Sequence, residues 1–184
     1  MNPLGSDNAY YLDTGWVSSD STIELPNSSS IWIADKNTIG VNEPVKLTWT
    51  SDQNITFEKI ITLDENYLFS VDQRVINNSG LSFDLYPYGL SKRQGIPEMQ
   101  NFFILHEGPL SITDGVLEEY DYDDLKDDKK IKHSSVGGWI GMTDKYWQTA
   151  IIPNQNEPVQ QTYSYSFVDN LSLIHISEPT RPLI

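Results

Sequence analysis

The sequence predicts an all-β protein, an antiparallel sandwich, and three observations carry that prediction. Short segments of alternating apolar and polar residues, cut by turn formers at regular spacing, run through residues 45–90. No stretch sustains an apolar stripe with a period of about 3.6 residues, so no long amphipathic helix is expected. The chain is also 38% hydrophobic with 5 Trp, 10 Tyr and 6 Phe in 184 residues, the composition of a globular domain rather than a disordered one. At this length one core is expected, burying roughly 70% of the unfolded surface.

The elements follow in order. Val45, Leu47 and Trp49 alternate with Lys46, Thr48 and Thr50, giving a strand with one dry and one wet face, and Ser51-Asp52-Gln53-Asn54 is turn chemistry. A second strand covers Ile55–Leu63. After Asp64-Glu65-Asn66, the residues Tyr67, Phe69, Val71 and Val75 share a parity, and Asn77-Asn78-Ser79-Gly80 tolerates positive φ. Leu81, Phe83 and Leu85 are expected to begin a fourth strand. Connections of about four residues suit hairpins, so sequence neighbours should be sheet neighbours.

Residues 117–132 interleave Tyr120 and Tyr122 with five aspartates and read as a strand end followed by an acidic loop or a single helical turn. Two apolar strands, Gly137-Gly138-Trp139-Ile140-Gly141-Met142 and Tyr146-Trp147-Gln148-Thr149-Ala150-Ile151-Ile152-Pro153, flank Thr143-Asp144-Lys145. A polar loop at 154–158 leads to an alternating strand at 162–168 with Tyr163, Tyr165 and Phe167 on one face. No internal repeat is visible.

A net charge of -14, with the lysines at 129, 130 and 132 set directly against the preceding aspartates, disfavours nucleic acid and anionic lipid surfaces as partners. The absence of Cys excludes disulfides, thiolate zinc sites and thiol catalysis. No segment approaches the ~20 apolar residues that cross a bilayer, and residues 1–7 lack the pattern of a signal peptide. Taken literally, with Met1 as the true start, that describes a cytoplasmic protein.

Candidate chemistry is sparse. His106 and Glu107 could form an acid/base pair, but adjacent strand residues point to opposite faces and would not converge on one substrate. The aspartates between Asp121 and Asp128 lack the central Gly and terminal Glu of a calcium loop. Gly137-Gly138 lacks the spacing of a dinucleotide loop and reads instead as close backbone approach in a crowded sheet. Asn-X-Ser/Thr triplets at Asn27, Asn54 and Asn77 read as turns rather than glycosylation sites. Tyr86-Pro87-Tyr88 with Trp139, Tyr146 and Trp147 could form an aromatic platform for a sugar or peptide, with core packing as the simpler reading. No catalytic residue, cofactor, metal or small-molecule ligand is expected.

The run Gly137-Gly138-Trp139-Ile140-Gly141-Met142-Thr143-Asp144-Lys145-Tyr146-Trp147-Gln148-Thr149-Ala150-Ile151-Ile152-Pro153 resembles a signature of the periplasmic domain of YidC-type (YidC/Oxa1/Alb3) membrane protein insertases. Further matches follow the family's order: Asn8-Ala9-Tyr10-Tyr11, Gly15-Trp16-Val17, Pro44 to Trp49, Asp64 to Phe69, Leu85-Tyr86-Pro87-Tyr88 and Leu105-His106-Glu107-Gly108, the last two in forms that look alphaproteobacterial. The resemblance implies a large twisted antiparallel β-sandwich, a galactose-mutarotase-like supersandwich, incomplete in this chain. It implies a place on the periplasmic side of the bacterial inner membrane, in a membrane-embedded parent. The implied role is accessory, without chemistry, in contact with auxiliary subunits of the Sec translocon and nascent membrane proteins. The same fold analogy offers an alternative, a carbohydrate-binding or sugar epimerase domain, which would need a His and a carboxylate converging in a cleft.

Residues 171–181 resemble the translation of a transposase sequencing adapter. The expected organisation is therefore a partial periplasmic domain over residues 1–170 and a non-native tail over 171–184. A sandwich lacking strands exposes apolar faces and unpaired edges, so the chain alone is expected to be marginal or to aggregate.

Overall fold

The computed structural model describes residues 5–6, 9–95, 106–168 and 171–177; at 167–168 and 171–177 the backbone alone is described. The elements are β1 (Tyr10–Ser18), β2 (Ile33–Ala34), β3 (Val45–Thr50), β4 (Ile55–Leu63), β5 (Phe69–Asn77), β6 (Leu85–Gln94), β7 (Gly108–Thr113) and β8 (Val116–Glu119). Then come α1 (Tyr122–Asp128), β9 (Lys130–Val136), β10 (Trp139–Thr143), β11 (Gln148–Ile151), β12 (Pro158–Val168) and β13 (Leu171–Ser177). The fold is all-β and antiparallel, as the alternation predicts. The chain divides into two compact units, one built on residues 15–86 and one on residues 1–14 and 87–181, the divisions falling within β1 and β6.

The unit at 15–86 carries the four-stranded sheet β2-β3-β4-β5. Its register sets Trp49 opposite Phe57 and Phe57 opposite Val75, so odd-numbered positions share one face. That face packs its core: Ile55 and Phe57 are fully buried, joined by Trp16, Ile23, Phe83 and Leu85. The Trp16 ring meets Phe57 edge-on at 5.1 Å and stacks on Trp32 at 6.5 Å. Each arrangement suits the quadrupoles of the rings.

The expected fourth strand is corrected. It begins at Leu85 rather than Leu81, and β6 pairs in a different sheet instead of with β5. The turn closes on itself: Asn77 Oδ1 accepts from the Ser79 amide at 3.0 Å while Asn77 Nδ2 donates to the Leu81 carbonyl at 2.7 Å. Residues 81–84 then run as non-strand chain, and Phe83 is buried by docking on the core rather than by pairing.

The other unit holds a five-stranded sheet, β1-β6-β13-β12-β9, and a four-stranded sheet, β11-β10-β7-β8. Its core joins the fully buried Tyr122, Leu125 and Tyr163 with Ile140 and Met142. The acidic stretch, expected as a loop or a single helical turn, instead forms the seven-residue α1. Tyr122 and Leu125, three apart, share its inward face, and the Asp124 carboxylate accepts from the Asp121 amide at 2.8 Å to satisfy an N-terminal donor. β11 starts at Gln148, two residues later than its apolar run suggests, which leaves Tyr146 and Trp147 in the turn. Residues 171–177, expected to be foreign, form β13, hydrogen-bonded to β12 and β6. Main-chain ladders are available to any sequence, so this pairing does not depend on the segment's origin.

Candidate functional site

The signature residues gather in and around the β10–β11 hairpin. Gly137 and Gly138 enter it with φ of 65° and 84°, in the left-handed region. A side chain on Gly138 would meet the Ile112 carbonyl oxygen, and one on Gly137 would come within 2.6 Å of the Gln155 oxygen, so both glycines allow close backbone approach. Trp139 follows, half-buried and opposite Ile112 of β7.

At the far end the hairpin is pinned. The Asp144 carboxylate takes a 2.6 Å ion pair from Arg93 Nη1, and the Arg93 guanidinium lies 5.2 Å over the Tyr10 ring. Tyr10 in turn donates to Thr149 Oγ1 of β11 at 2.5 Å. Both ion-pair partners are largely buried, where such a bond is screened less than at the surface. Burial pushes the Tyr10 phenol up, and raises that of Tyr122 to about 12 with Arg93 offsetting part of the rise. Lys145 lies 5.1 Å over the Tyr146 ring. Tyr146 and Trp147 are 76% and 78% exposed, which corrects the expectation that they pack in the core. Pro153 is half-buried where the chain leaves β11.

The remaining motif residues lie elsewhere. Tyr86 and Pro87 are half-buried on β6. The Tyr88 hydroxyl donates to Asp13 Oδ2 at 3.3 Å, and burial, with the Asp13 charge adding, raises its phenol to about 12. His106 and Glu107 precede β7 rather than lie on a strand, so the opposite-faces argument does not apply to them. His106 Nε2 is 3.1 Å from the Pro109 carbonyl, and His133 Nε2 is 2.7 Å from the Tyr120 hydroxyl. Gly108 is buried, and a side chain there would meet the Tyr120 carbonyl oxygen, so the close approach of the two backbones needs glycine. Leu105, Asn8 and the tail at 178–184 lie outside the described residues.

In the unit at 15–86 a cavity of about 480 Å³ runs along β5, lined by Glu58, Gln73, Arg74, Ile76, Phe83 and Leu85 among others. Its lining among the described residues contains one ring, Phe83, and no histidine. Among the described residues, no group of three or more His, Asp or Glu is placed to hold a metal ion, and no helix is long and apolar enough to cross a membrane. The acidic face of α1 is solvated, with Asp123 paired to Lys126 at 2.6 Å. Sequence reasoning did not single out Arg93, named Tyr10 only within the Asn8-Ala9-Tyr10-Tyr11 match and gave it no partner, and did not find the cavity. The first two meet Asp144 and Thr149 from more than fifty residues away, a distance over which no local pattern carries information.

The strands and this hairpin define an all-β antiparallel protein in which a half-buried Arg93–Asp144 ion pair and positive-φ glycines fix the hairpin behind an exposed aromatic tip. A family model described as the YidC periplasmic domain matches residues 1–181, and the chain belongs to that family. It is 40% identical over 166 residues to the membrane protein insertase YidC of Pelagibacter ubique, covering 90% of this chain and 30% of that protein. The insertases of Rickettsia bellii and Rickettsia typhi are 37% and 36% identical, covering 97% and 100% of this chain and 34% of each relative. The chain thus spans about a third of the curated relatives it matches.

Proposed function

We propose that this chain is the accessory domain, on the periplasmic side of the bacterial inner membrane, of an insertase that helps membrane proteins insert and fold, alone or with the Sec translocon. It performs no chemistry and binds no cofactor; its partners are nascent membrane proteins and the translocon's auxiliary subunits. The observation that carries this reading is the periplasmic-domain match over residues 1–181, together with relatives that are named insertases and are three times as long. The geometry is compatible with it, because the His106 and His133 imidazoles are engaged inside the fold, His106 Nε2 with the Pro109 carbonyl oxygen and His133 Nε2 with the Tyr120 hydroxyl. The signature residues Gly137, Gly138, Trp139, Asp144 and Gly108 serve the architecture of the hairpin and its neighbours. Residues 171–184 stand outside this function as an adapter-derived tail; reading the gene from DNA prepared without transposase tests that assignment.

The test of function is site-specific photo-crosslinking in the membrane-embedded parent, with probes at exposed positions of β5 such as Phe69. During membrane-protein synthesis, adducts to nascent chains or to translocon subunits are expected. Their absence from every exposed strand, with insertion unimpaired when the domain is deleted, would overturn the reading. Titration with simple sugars in a calorimeter separates it from the carbohydrate-binding alternative; heat at stoichiometric sugar would favour that rival.

A further inference from the structure

We propose that the tip of the β10–β11 hairpin, Lys145-Tyr146-Trp147, is a lipid-contact element that seats in the zwitterionic headgroup interface of a bilayer. Three observations meet there. Tyr146 and Trp147 are 76% and 78% exposed, and Trp147 is the most exposed Trp in a chain whose Trp16 is buried and whose Trp32, Trp49 and Trp139 are half-buried. The tip is also rigid: the Asp144 amide donates to the Trp147 carbonyl at 2.7 Å, and the Asp144 side chain is tied to Arg93 at 2.6 Å. A pre-ordered turn loses little entropy on docking, so it presents both rings at low cost.

Charge supplies the third observation. The chain as a whole carries -14, yet at the tip Asp144 is paired with Arg93 and the Lys145 ammonium lies 5.1 Å over the Tyr146 ring. The tip is therefore an aromatic point whose own carboxylate is paired, on an acidic body. Trp and Tyr, with an apolar ring and a polar handle, are the side chains that favour the headgroup level, and a lysine can keep its ammonium in water above them. The acidic body opposes approach to an anionic leaflet, which leaves a zwitterionic one as the surface that fits. Two rings give weak affinity in solution, so the contact operates at the high effective concentration of a membrane-tethered parent. It goes beyond the accessory role proposed above and rests on that reading for its tether, which the vesicle experiment supplies artificially so that the two can fail separately.

The experiment tethers the full chain by an N-terminal oligohistidine tag to phosphatidylcholine vesicles that contain nickel-chelating lipid and brominated acyl chains. Tryptophan emission is expected to be quenched, because Trp147 reaches the bromines. Trp147→Phe should abolish the quench by removing the reporter. Tyr146→Ser, which keeps it, should weaken insertion about tenfold. Both positions are solvent-exposed and far-UV circular dichroism checks that the variants stay folded. An unquenched wild type, a quench that survives Trp147→Phe, or a quench seen only with anionic lipid and lost in salt would each overturn the proposal.

Discussion

Gly138 is the residue at which the signature's demand is plainest. Its φ of 84° strains any L side chain, and the Ile112 carbonyl oxygen occupies the place of a Cβ. Gly115, with φ of 80° and open space around it, carries the strain without the clash. Gly115→Ala should therefore cost about 1 kcal/mol and Gly138→Ala at least twice that, read as shifts of the urea midpoint. A second residue-scale effect is alkaline. An unfolded phenol ionises near 10 and the buried Tyr122 near 12, so the folded state holds this proton more tightly. The resulting stability is complete below pH 10 and is lost as pH rises from 10 to 12. Among the described residues its hydroxyl makes no hydrogen bond of good geometry, although the Arg93 guanidinium is near enough to favour the phenolate, so Tyr122→Phe should leave neutral-pH stability within about 1 kcal/mol of the parent. The variant should also lose less stability between pH 10 and 12 than the parent, while the other raised phenols, Tyr10, Tyr88, Tyr120 and Tyr163, keep their share of the effect.

At the scale of elements, α1 exists because of what it packs against. Seven residues cannot sustain a helix in water, and this one is held by Tyr122 and Leu125, both fully buried. Leu125→Ala should cost about 2–5 kcal/mol in chemical denaturation, whereas Asp127→Ala on the exposed side should cost under about 0.5. The same contrast explains what the sequence made legible. β3 and β4 were readable end to end, because alternation and short turns are local signals. β5 starts at Phe69 rather than Tyr67 because Tyr67 takes a φ of 62° in a turn whose Leu68 amide is bound by Asp64 Oδ1 at 2.8 Å. The alternation of Leu81, Phe83 and Leu85 suggested a strand, yet Phe83 is buried by docking in the core, a tertiary event with the same two-residue rhythm. Periodicity likewise could not say that Trp147 faces water, nor that Arg93 would find Asp144. The family resemblance was legible because a long run of residues must satisfy these constraints together.

For the whole molecule, the outcome turns on an unpaired edge. β5 ends its sheet among the described residues, nine residues long, with Phe69 59% and Val71 37% exposed. Val71 lies opposite Ile61, and Ile61 opposite Val45, so an apolar row runs to the edge and stops. Tyr67 and Leu68, just before the strand, add 76% and 53% exposed surface. Such an edge offers free amides and carbonyls beside apolar side chains, which is the template for pairing with a second chain. The chain's charge of -14 slows that encounter without protecting the edge itself, because repulsion between exposed charges is screened within about 8 Å at physiological salt. Self-association is therefore expected at micromolar concentration, growing with salt, and analytical ultracentrifugation should show it. A charge at the exposed edge of the row, where Val71 sits, blunts strand addition while the buried end at Val45 keeps its packing. Val71→Lys should thus raise the monomer fraction while leaving the tryptophan environment of Trp16 and Trp49 unchanged. A purified parent chain that stays monomeric and melts in one sharp transition, or a Val71→Lys variant that associates as strongly as the parent, would show that the edge is not the seat of association.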